Sequence, residues 1–272
     1  MLNLTGGLRV LSQRSGHWLG LVGLLPVVIG ACAQRHDRES VRSGAVRDVP
    51  VVARAYPDIA DQVRVSVDVP QVEQARALVS GSPHHAGHHL TLGLAYFRDK
   101  RYPDAARSFK TGLRLDPRSW QGYRYLGYSL MGCGRLADAA VAFNRIHRMT
   151  VDKTVRSNAY LEQANCYWDM QHYDQAEAYY KQSLSMNSKQ GFADLSLGVL
   201  EAQRGHALRA RTHFLRASST LTDVKLRASA YALLGRLNDE RGDRRAAEVA
   251  YKQALELDPE NATATAGLGT AR

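Results

Sequence analysis

Four histidines lie close together in the segment HHAGHH at residues 84–89. On a helix, His84 would face His88 and His85 would face His89, and imidazole pairs at this i, i+4 spacing can bind zinc or nickel. No acidic residue or cysteine lies nearby to complete a site, and the segment spans the expected start of a helix. We therefore expect a solvated polar helix end and no metal, with a metal-dependent enzyme as a remote alternative.

Motifs of other catalytic or cofactor sites are not found in the sequence. It contains no nucleophile elbow, no phosphate-binding loop, no HExxH and no CxxC pair. The segment GLG at 267–269 is a fragment of a glycine motif with neither strand nor helix to complete it. The sequence therefore predicts a protein that has no cofactor and is not an enzyme.

The first 31 residues have the order of an export signal. Residues 1–17 contain Arg9 and Arg14 and no acid, and an apolar run follows from Trp18 to Ala31. This run is about 14 residues, whereas a helix needs about 20 to cross a membrane. We therefore predict a cleaved signal peptide over residues 1–31 rather than a transmembrane span.

The end of this signal, Ile29-Gly30-Ala31-Cys32, resembles the lipobox of bacterial lipoproteins. The resemblance implies that Cys32 is acylated and becomes the new N-terminus, and two acyl chains already give stable anchoring. Ala33 stands where inner-membrane lipoproteins often carry Asp, which implies an outer-membrane protein that faces the periplasm. An ordinary signal peptide with a cysteine near its cleavage site is the alternative.

Two further cysteines, Cys133 and Cys166, remain once Cys32 is assigned to lipid. An oxidising compartment would permit a disulfide between them, but two cysteines do not make a disulfide framework. Both fall inside predicted helices, where small buried thiols are common. We expect buried thiols, with a disulfide as the alternative.

Basic residues outnumber acidic ones along the chain. Its 272 residues include 36 Lys and Arg and 26 Asp and Glu, for a formal charge of +10, of which removal of the signal takes away two arginines. The excess lies in residues 86–272. Outside the cytoplasm, such a domain suits acidic protein, lipid headgroups or cell-wall carboxylates rather than nucleic acid, and a merely solvated surface is the alternative.

Residues 32–82 are predicted to form a lipid-anchored tether. They contain scattered prolines, balanced charge and few aromatic residues, so they cannot bury a core of their own. Two pieces differ: residues 63–69 alternate valine with polar residues as a strand does, and QVEQARALV at 71–79 could form a short helix. We interpret the valine segment as an extended arm against the domain rather than a strand offered to another protein.

A period of 34 residues begins after residue 82. Each copy has a small residue midway along its first predicted helix, an alanine twelve residues later and an aromatic residue four further on. A small residue lets two helices approach closely, and the aromatic ring fills the space between one hairpin and the next. The small and aromatic residues of the five copies are Gly93 and Phe109, Gly127 and Phe143, Ala164 and Tyr180, Gly198 and Phe214, and Gly235 and Tyr251.

This pattern resembles the tetratricopeptide repeat family, whose unit is a pair of antiparallel helices. The resemblance implies an all-α fold for residues 83–272, a right-handed superhelical solenoid with a concave inner face. Three-residue insertions at 154–156 and 225–227 are expected to lengthen the second helix of repeats two and four. The repeats are placed at 86–119, 120–153, 157–190, 191–224 and 228–261, with a partial cap at 262–272.

In that family a partner-binding groove is lined by the second, fifth, ninth, twelfth and thirteenth residues of each unit. The chaperone-binding members grip a C-terminal carboxylate with Lys and Asn at positions that Leu90 and Leu94 occupy here, so we expect an apolar helix or extended peptide instead. Packing of these side chains against each other or against the arm is the alternative. The groove residues implied are Leu90, Leu94, Phe97, Arg98, Arg124, Tyr128, Met131, Asn158, Leu161, Asn165, Trp168, Phe192, Leu195, Val199, Arg236, Asp239 and Glu240.

A lipobox combined with such repeats resembles the pilotins, which deliver or stabilise the secretin ring of type IV and tight-adherence pili. The resemblance implies a lipid-anchored scaffold that mediates protein–protein interactions, with a secretin or pilus component as partner. An adaptor for peptidoglycan hydrolases or for exopolysaccharide export is the alternative.

Overall fold

The computed structural model describes residues 69–270. The predicted signal peptide, the lipidation site Cys32 and most of the tether, including residues 63–68 of the valine arm, lie outside the described residues. Within that range the chain forms twelve α-helices and no strand, which confirms the all-α prediction. None of these helices combines the length and the apolar composition of a membrane span.

Five helical hairpins follow one another, and each predicted repeat corresponds to one hairpin. Helix α1 precedes the first hairpin, helices α2 to α11 form the five hairpins in pairs, and α12 begins a sixth. The helices are α1 (Val72–Gly81), α2 (Ala86–Arg98), α3 (Tyr102–Leu115), α4 (Trp120–Gly132), α5 (Leu136–Ile146), α6 (Lys153–Asp169), α7 (Tyr173–Met186), α8 (Gly191–Gln203), α9 (Ala207–Thr220), α10 (Val224–Glu240), α11 (Arg244–Leu257) and α12 (Ala262–Thr270).

In four of the five repeats the small residue is a glycine that lies directly against the aromatic ring of its own hairpin. A methyl group added at Gly93 would lie 2.7 Å from the Phe109 ring, and one added at Gly198 would lie 2.6 Å from the Phe214 ring. Such distances are too short for carbon atoms in contact, so these positions leave no room for a side chain. The ring therefore fills the crossing within one hairpin, in addition to the predicted space between hairpins.

The two three-residue insertions lengthen first helices, so their assignment to second helices was wrong. Helices α6 and α10 each have 17 residues, whereas the first helices of the other three hairpins have 13. The cause is a capping residue: Asp152 Oδ1 accepts hydrogen bonds from the N–H groups of Thr154 and Val155, and Asp223 Oδ1 accepts one from Leu226. An N-terminal cap starts a helix where it stands, so both helices begin one turn early.

Helix α1, predicted as a short helix within the tether, packs against α2. Val72 and Ala75 are buried in the core that α2 also enters. Arg76 Nε donates a hydrogen bond of 2.8 Å to the Tyr96 hydroxyl, and Arg98 Nη1 donates one of 2.6 Å to the carbonyl of Val69. The packed helices therefore begin at Val72, inside the predicted tether of residues 32–82, and not at residue 83, the predicted start of the solenoid.

Repeats one and two share a core rich in aromatic side chains. The Phe97 ring lies 5.7 Å from the Tyr102 ring and 5.8 Å from the Tyr125 ring, centroid to centroid, and Tyr128 lies 5.4 Å from Phe143. Rings at these separations attract one another beyond the burial of their area. The core of these two repeats runs without interruption from α1 into α6.

Repeat four instead buries two carboxylates on α8, Asp194 and Glu201. Asp194 is fully buried, and its Oδ1 lies 2.9 Å from His213 Nδ1 on α9 while its Oδ2 lies 3.4 Å from Arg216. Glu201 Oε2 lies 2.6 Å from His206 Nδ1. Buried carboxylates are tolerated only with such partners, so these contacts tie α8 to α9.

Candidate partner-binding surface

Six of the predicted groove residues are buried beneath the inner face of the hairpins. Apart from the part of Tyr128 that lines a small cleft, a partner cannot contact these side chains unless the core rearranges, so their assignment to an accessible groove is corrected. They belong to the core because each is covered by side chains of its own or the next hairpin. The six are Phe97, Tyr128, Met131, Asn165, Leu195 and Val199.

The cover over Phe97 shows the physical reason. The rings of Tyr125 and Tyr128 on α4 lie 5.8 and 6.4 Å from the Phe97 ring, and Phe97 has no exposed surface. Burial raises the pKa of the Tyr128 hydroxyl well above its usual value, and the carboxylate of Glu162 adds to that shift. Position in the repeat predicts the direction of a side chain, but the size of its neighbours decides its exposure.

The remaining predicted groove residues keep part of their surface exposed. Trp168 and Phe192 are half-buried and pack on the edge of the core of repeats four and five, and Trp168 and Leu161 also pack on the core around Tyr180. This group provides the surface that a partner can contact. It comprises Leu90, Leu94, Arg98, Arg124, Asn158, Leu161, Trp168, Phe192, Arg236, Asp239 and Glu240.

A small cleft opens between repeats two and three. It encloses about 30 Å³, far below the several hundred Å³ of sites for small molecules. The cleft therefore fits the end of one partner side chain or a backbone group. Its lining comes from α4, α5 and α6 and consists of Arg124, Tyr128, Phe143, Ile146, Val155, Asn158, Ala159 and Glu162.

Glu162 is the centre of a hydrogen-bond network at this cleft. Its Oε1 accepts from the Tyr128 hydroxyl at 3.2 Å and its Oε2 accepts from Asn165 Nδ2 at 3.1 Å. Asn165 Oδ1 in turn accepts from the Tyr180 hydroxyl at 2.9 Å. The network joins α4, α6 and α7. The groove positions carried over from the family omitted Glu162, although its place one helical turn after Asn158 would have indicated it.

Arg124 provides the opposite charge in the same cleft. Its guanidinium carbon lies 5.3 Å from the Trp120 ring and 4.9 Å from the Tyr125 ring, which holds the side chain in place by cation–π attraction. Its buried Nε atom has no hydrogen-bond partner among the described residues. Arg124 and Glu162 thus place a donor and an acceptor in the lining of one cleft, which suits an amide or a peptide group.

The inner face becomes charged in repeat five, as the carried-over positions Arg236, Asp239 and Glu240 imply. Arg236 Nε lies 3.7 Å from Glu240 Oε1. Burial, helped by the neighbouring Asp239, raises the pKa of the Glu240 carboxyl above its usual value, while Arg236 opposes that shift. An extended partner would therefore meet half-buried aromatic and aliphatic side chains first and a cluster of mixed charge at its far end.

The four histidines of residues 84–89 lie at the start of α2. His85 precedes the helix, and its Nδ1 accepts a hydrogen bond from the His88 N–H at 3.3 Å. His89 Nε2 lies 2.8 Å from the Pro83 carbonyl oxygen, and His84 is exposed. Because α2 begins only at Ala86, His84 and His85 do not share a helix with their i+4 partners. Within residues 69–270, no group of three or more His, Cys, Asp or Glu side chains is arranged to hold a metal ion.

The cysteines predicted to be buried thiols differ in exposure. Cys166 on α6 is fully buried, whereas Cys133, the residue that ends α4, is half-buried. Burial raises the pKa of the Cys133 thiol, which keeps it protonated and poorly reactive. No disulfide joins cysteines in the described part of the chain.

Two sequence-family profiles match the chain, and both are described as tetratricopeptide repeat. One matches residues 70–111 and 90–149, and the other matches residues 157–190 and 228–261. Together these matches cover more than half of the chain. A search of curated proteins found no significant match.

Solved structures with similar folds include three helical-repeat proteins. PilF of Pseudomonas aeruginosa is 20% identical, with 73% of this chain and 90% of that chain covered and a TM-score of 0.61. PilW, described as a widely conserved type IV pilus biogenesis factor, is 20% identical, with 80% and 99% covered and a TM-score of 0.58. YrrB, described as having an unusual peptide-binding site, is 15% identical, with 73% and 99% covered and a TM-score of 0.56. At these identities the likeness shows the fold alone.

Proposed function

Because the chain belongs to the tetratricopeptide repeat family, whose fold serves as a scaffold for protein–protein interactions, we propose that it holds a protein partner during assembly of a cell-envelope machine. The partner is a pilus or secretin component, bound on the inner face of the hairpins. The scaffold is anchored by lipid at Cys32 to the outer membrane and faces the periplasm.

The observation that carries this proposal is the half-buried surface around Leu161, Trp168 and Phe192, next to the cleft of Arg124 and Glu162. Tryptophan and arginine are among the strongest anchors of protein interfaces, particularly where neighbouring side chains exclude water. The cleft is too small for a small-molecule substrate, and its donor and acceptor suit a peptide group. This chemistry supports a protein ligand.

Two further observations support a pilus machine. PilF and PilW share the fold, and PilW is described as a type IV pilus biogenesis factor. The sequence Ile29-Gly30-Ala31-Cys32 resembles a lipobox, which would place the repeats at the membrane where such machines assemble. Neither observation identifies the partner alone, and the proposal rests on their combination with the inner face.

The experiment is a pull-down from native membranes with four forms of the full chain. These are the wild type, Cys32→Ser, the double variant Trp168→Ala/Phe192→Ala, and Val141→Ala as a control at a side chain that is 60% exposed on α5. We expect a pilus or secretin component with the wild type and the control. The double variant should recover at most about a tenth as much of that component. Cys32→Ser should still bind it but should no longer be found in the membrane fraction.

Circular dichroism of the double variant separates loss of binding from loss of fold. Arg124→Gln, which keeps most of the side-chain volume, tests the cleft without removing an apolar contact. If both folded variants recover the same proteins as the wild type, the inner face is not the binding surface. Recovery of peptidoglycan hydrolases or of export proteins for exopolysaccharide in place of pilus components would contradict the proposed machine.

A further inference from the structure

The outward face of α9 carries two exposed leucines. Leu208 is 68% exposed and Leu215 is 44% exposed, and they lie two helical turns apart on the same side of the helix. Arg211 and Thr212, which lie between them on that side, are exposed as well. The opposite side of α9 packs in the core through Ala210, Phe214 and Ala217. The leucines therefore form an apolar ridge that points away from the core.

The charged residues of α9 itself are all basic. No acidic residue occurs between Glu201 and Asp223, whereas four arginines do. Three of them lie near acids of α7 or α8: Arg204 pairs with Asp174 and Glu177, Arg209 Nη1 lies 3.9 Å from Glu201, and Arg216 lies 3.4 Å from Asp194. Arg211 forms no ion pair within residues 69–270. Arginine thus borders the ridge on both sides, with no acid on α9 itself.

The other second helices do not combine these features. Val249 on α11 is 58% exposed, but Glu248 beside it forms an ion pair of 2.7 Å with Lys252. Val141 on α5 is 60% exposed, and that helix carries Asp138. Helices α3 and α7 also carry acidic residues. Among the second helices of the five hairpins, α9 alone therefore combines exposed leucines with arginines and carries no acidic residue.

We propose that the outward face of α9 docks on a membrane surface with anionic headgroups. Leu208 and Leu215 would enter the boundary between headgroups and acyl chains, and Arg211 would contact phosphate oxygens. Interfacial helices bind membranes by this combination of apolar area and basic charge. A helical partner would need a groove on this face into which its side chains fit. The face instead carries projecting leucines, which can insert into the deformable lipid layer. Docking by this face requires neither the inner face nor its partner.

The test uses the full chain with a photoreactive residue in place of Leu208, bound to vesicles of phosphatidylcholine and phosphatidylglycerol at 3:1. The control carries the photoreactive residue in place of Val249. An N-terminal apolar run or an acyl chain at Cys32 would bind both proteins to vesicles equally. The amount of lipid adduct therefore reports whether the labelled position contacts the membrane. Both side chains are largely exposed, so neither replacement removes core packing, and circular dichroism checks the fold.

We expect at least about five times as much lipid adduct at position 208 as at position 249. The adduct at 208 should fall about fivefold with Arg211→Gln, or in vesicles of phosphatidylcholine alone, because one arginine near an anionic surface contributes about that factor. Equal adducts at both positions, or none at 208, would overturn the proposal. Crosslinks from position 208 to an acidic protein in native membranes, without lipid adducts, would assign the face to a protein.

Discussion

Repeats one and two are held together by interlocked aromatic rings, whereas repeat four is held together by buried charges. Phe97, Tyr125 and Tyr128 contact one another within one core. In repeat four, Asp194 and Glu201 occupy positions where repeat three has Tyr160 and Tyr167. Glu201 faces His206, just before α9, and Asp194 faces His213 and Arg216 on α9. Repeats three and four thus form the same kind of hairpin with aromatic side chains in one and carboxylates in the other at the same two positions.

The contact common to both regions is the crossing of glycine and aromatic ring. An added methyl group would lie 2.6 Å from the ring at Gly127 in repeat two and at Gly198 in repeat four. The side chains around this crossing differ, but the approach of the two helices does not. The comparison therefore indicates that the crossing determines the hairpin and that the flanking positions are free to vary.

The largest expected effect comes from removal of the ring at this crossing. Phe143→Ala in repeat two and Phe214→Ala in repeat four each remove a ring that is at most 2% exposed. Each should lower the free energy of unfolding by about 3–5 kcal/mol, as measured by urea denaturation followed by circular dichroism. Val141→Ala, at an exposed position, is the control. A much larger cost for Phe143 than for Phe214 would show that the aromatic network matters more than the crossing.

A smaller effect is expected from Asp194→Ala. The substitution leaves His213 and Arg216 without their buried acceptor, which should lower the free energy of unfolding by about 1–3 kcal/mol. The double variant Asp194→Leu/His213→Leu, which replaces both partners by apolar groups, should be closer to the wild type in the same urea experiment. If the double variant is less stable than Asp194→Ala, repeat four requires its charges and the two chemistries are not interchangeable.

The smallest effect concerns His147, at the junction of repeats two and three. Its ring stacks 3.7 Å from the Tyr160 ring, and burial lowers its pKa, with a further contribution from the nearby Arg156. The folded protein therefore binds a proton on His147 less readily than the unfolded chain does. The resulting stability is complete above the unfolded pKa of about 6.5 and decreases as the pH falls through that value towards the lower folded pKa.

The variant His147→Phe retains an aromatic ring against Tyr160 but cannot be protonated. The free energy of unfolding of the wild type and the variant, measured by urea denaturation, should be lower at pH 5.5 than at pH 8. The decrease should be smaller in His147→Phe by up to about 1 kcal/mol. A decrease of equal size in both proteins would assign the pH dependence to other groups.

The fold could be predicted from the sequence because the residues that form the helix crossing recur at the same spacing within each repeat. Gly93 and Phe109 stand at fixed spacing, and the pattern recurs five times. The position of the insertions was also visible, but their effect depended on whether Asp152 and Asp223 act as caps, a choice that spacing alone does not reveal. A helix-start signal from these aspartates would have placed the extra turns correctly.

The inner face was harder to predict than the fold. Tyr128 points towards that face as expected, yet neighbouring side chains cover most of its ring. Asp194 is of a residue type that is usually exposed, and its burial depends on His213, which lies on another helix. Exposure and pairing of this kind arise from contacts between helices, so a repeat alignment cannot supply them.

From repeat two to repeat five, the first helices alternate between 13 and 17 residues. Helices α6 and α10 carry an extra turn and α8 between them does not, so repeat five follows repeat three by two periods and one turn. Repeat three follows repeat one by the same distance along the sequence. Within repeats two to five the modular unit is therefore a pair of hairpins: adding or removing one pair preserves the order of long and short helices, whereas adding or removing a single hairpin reverses it.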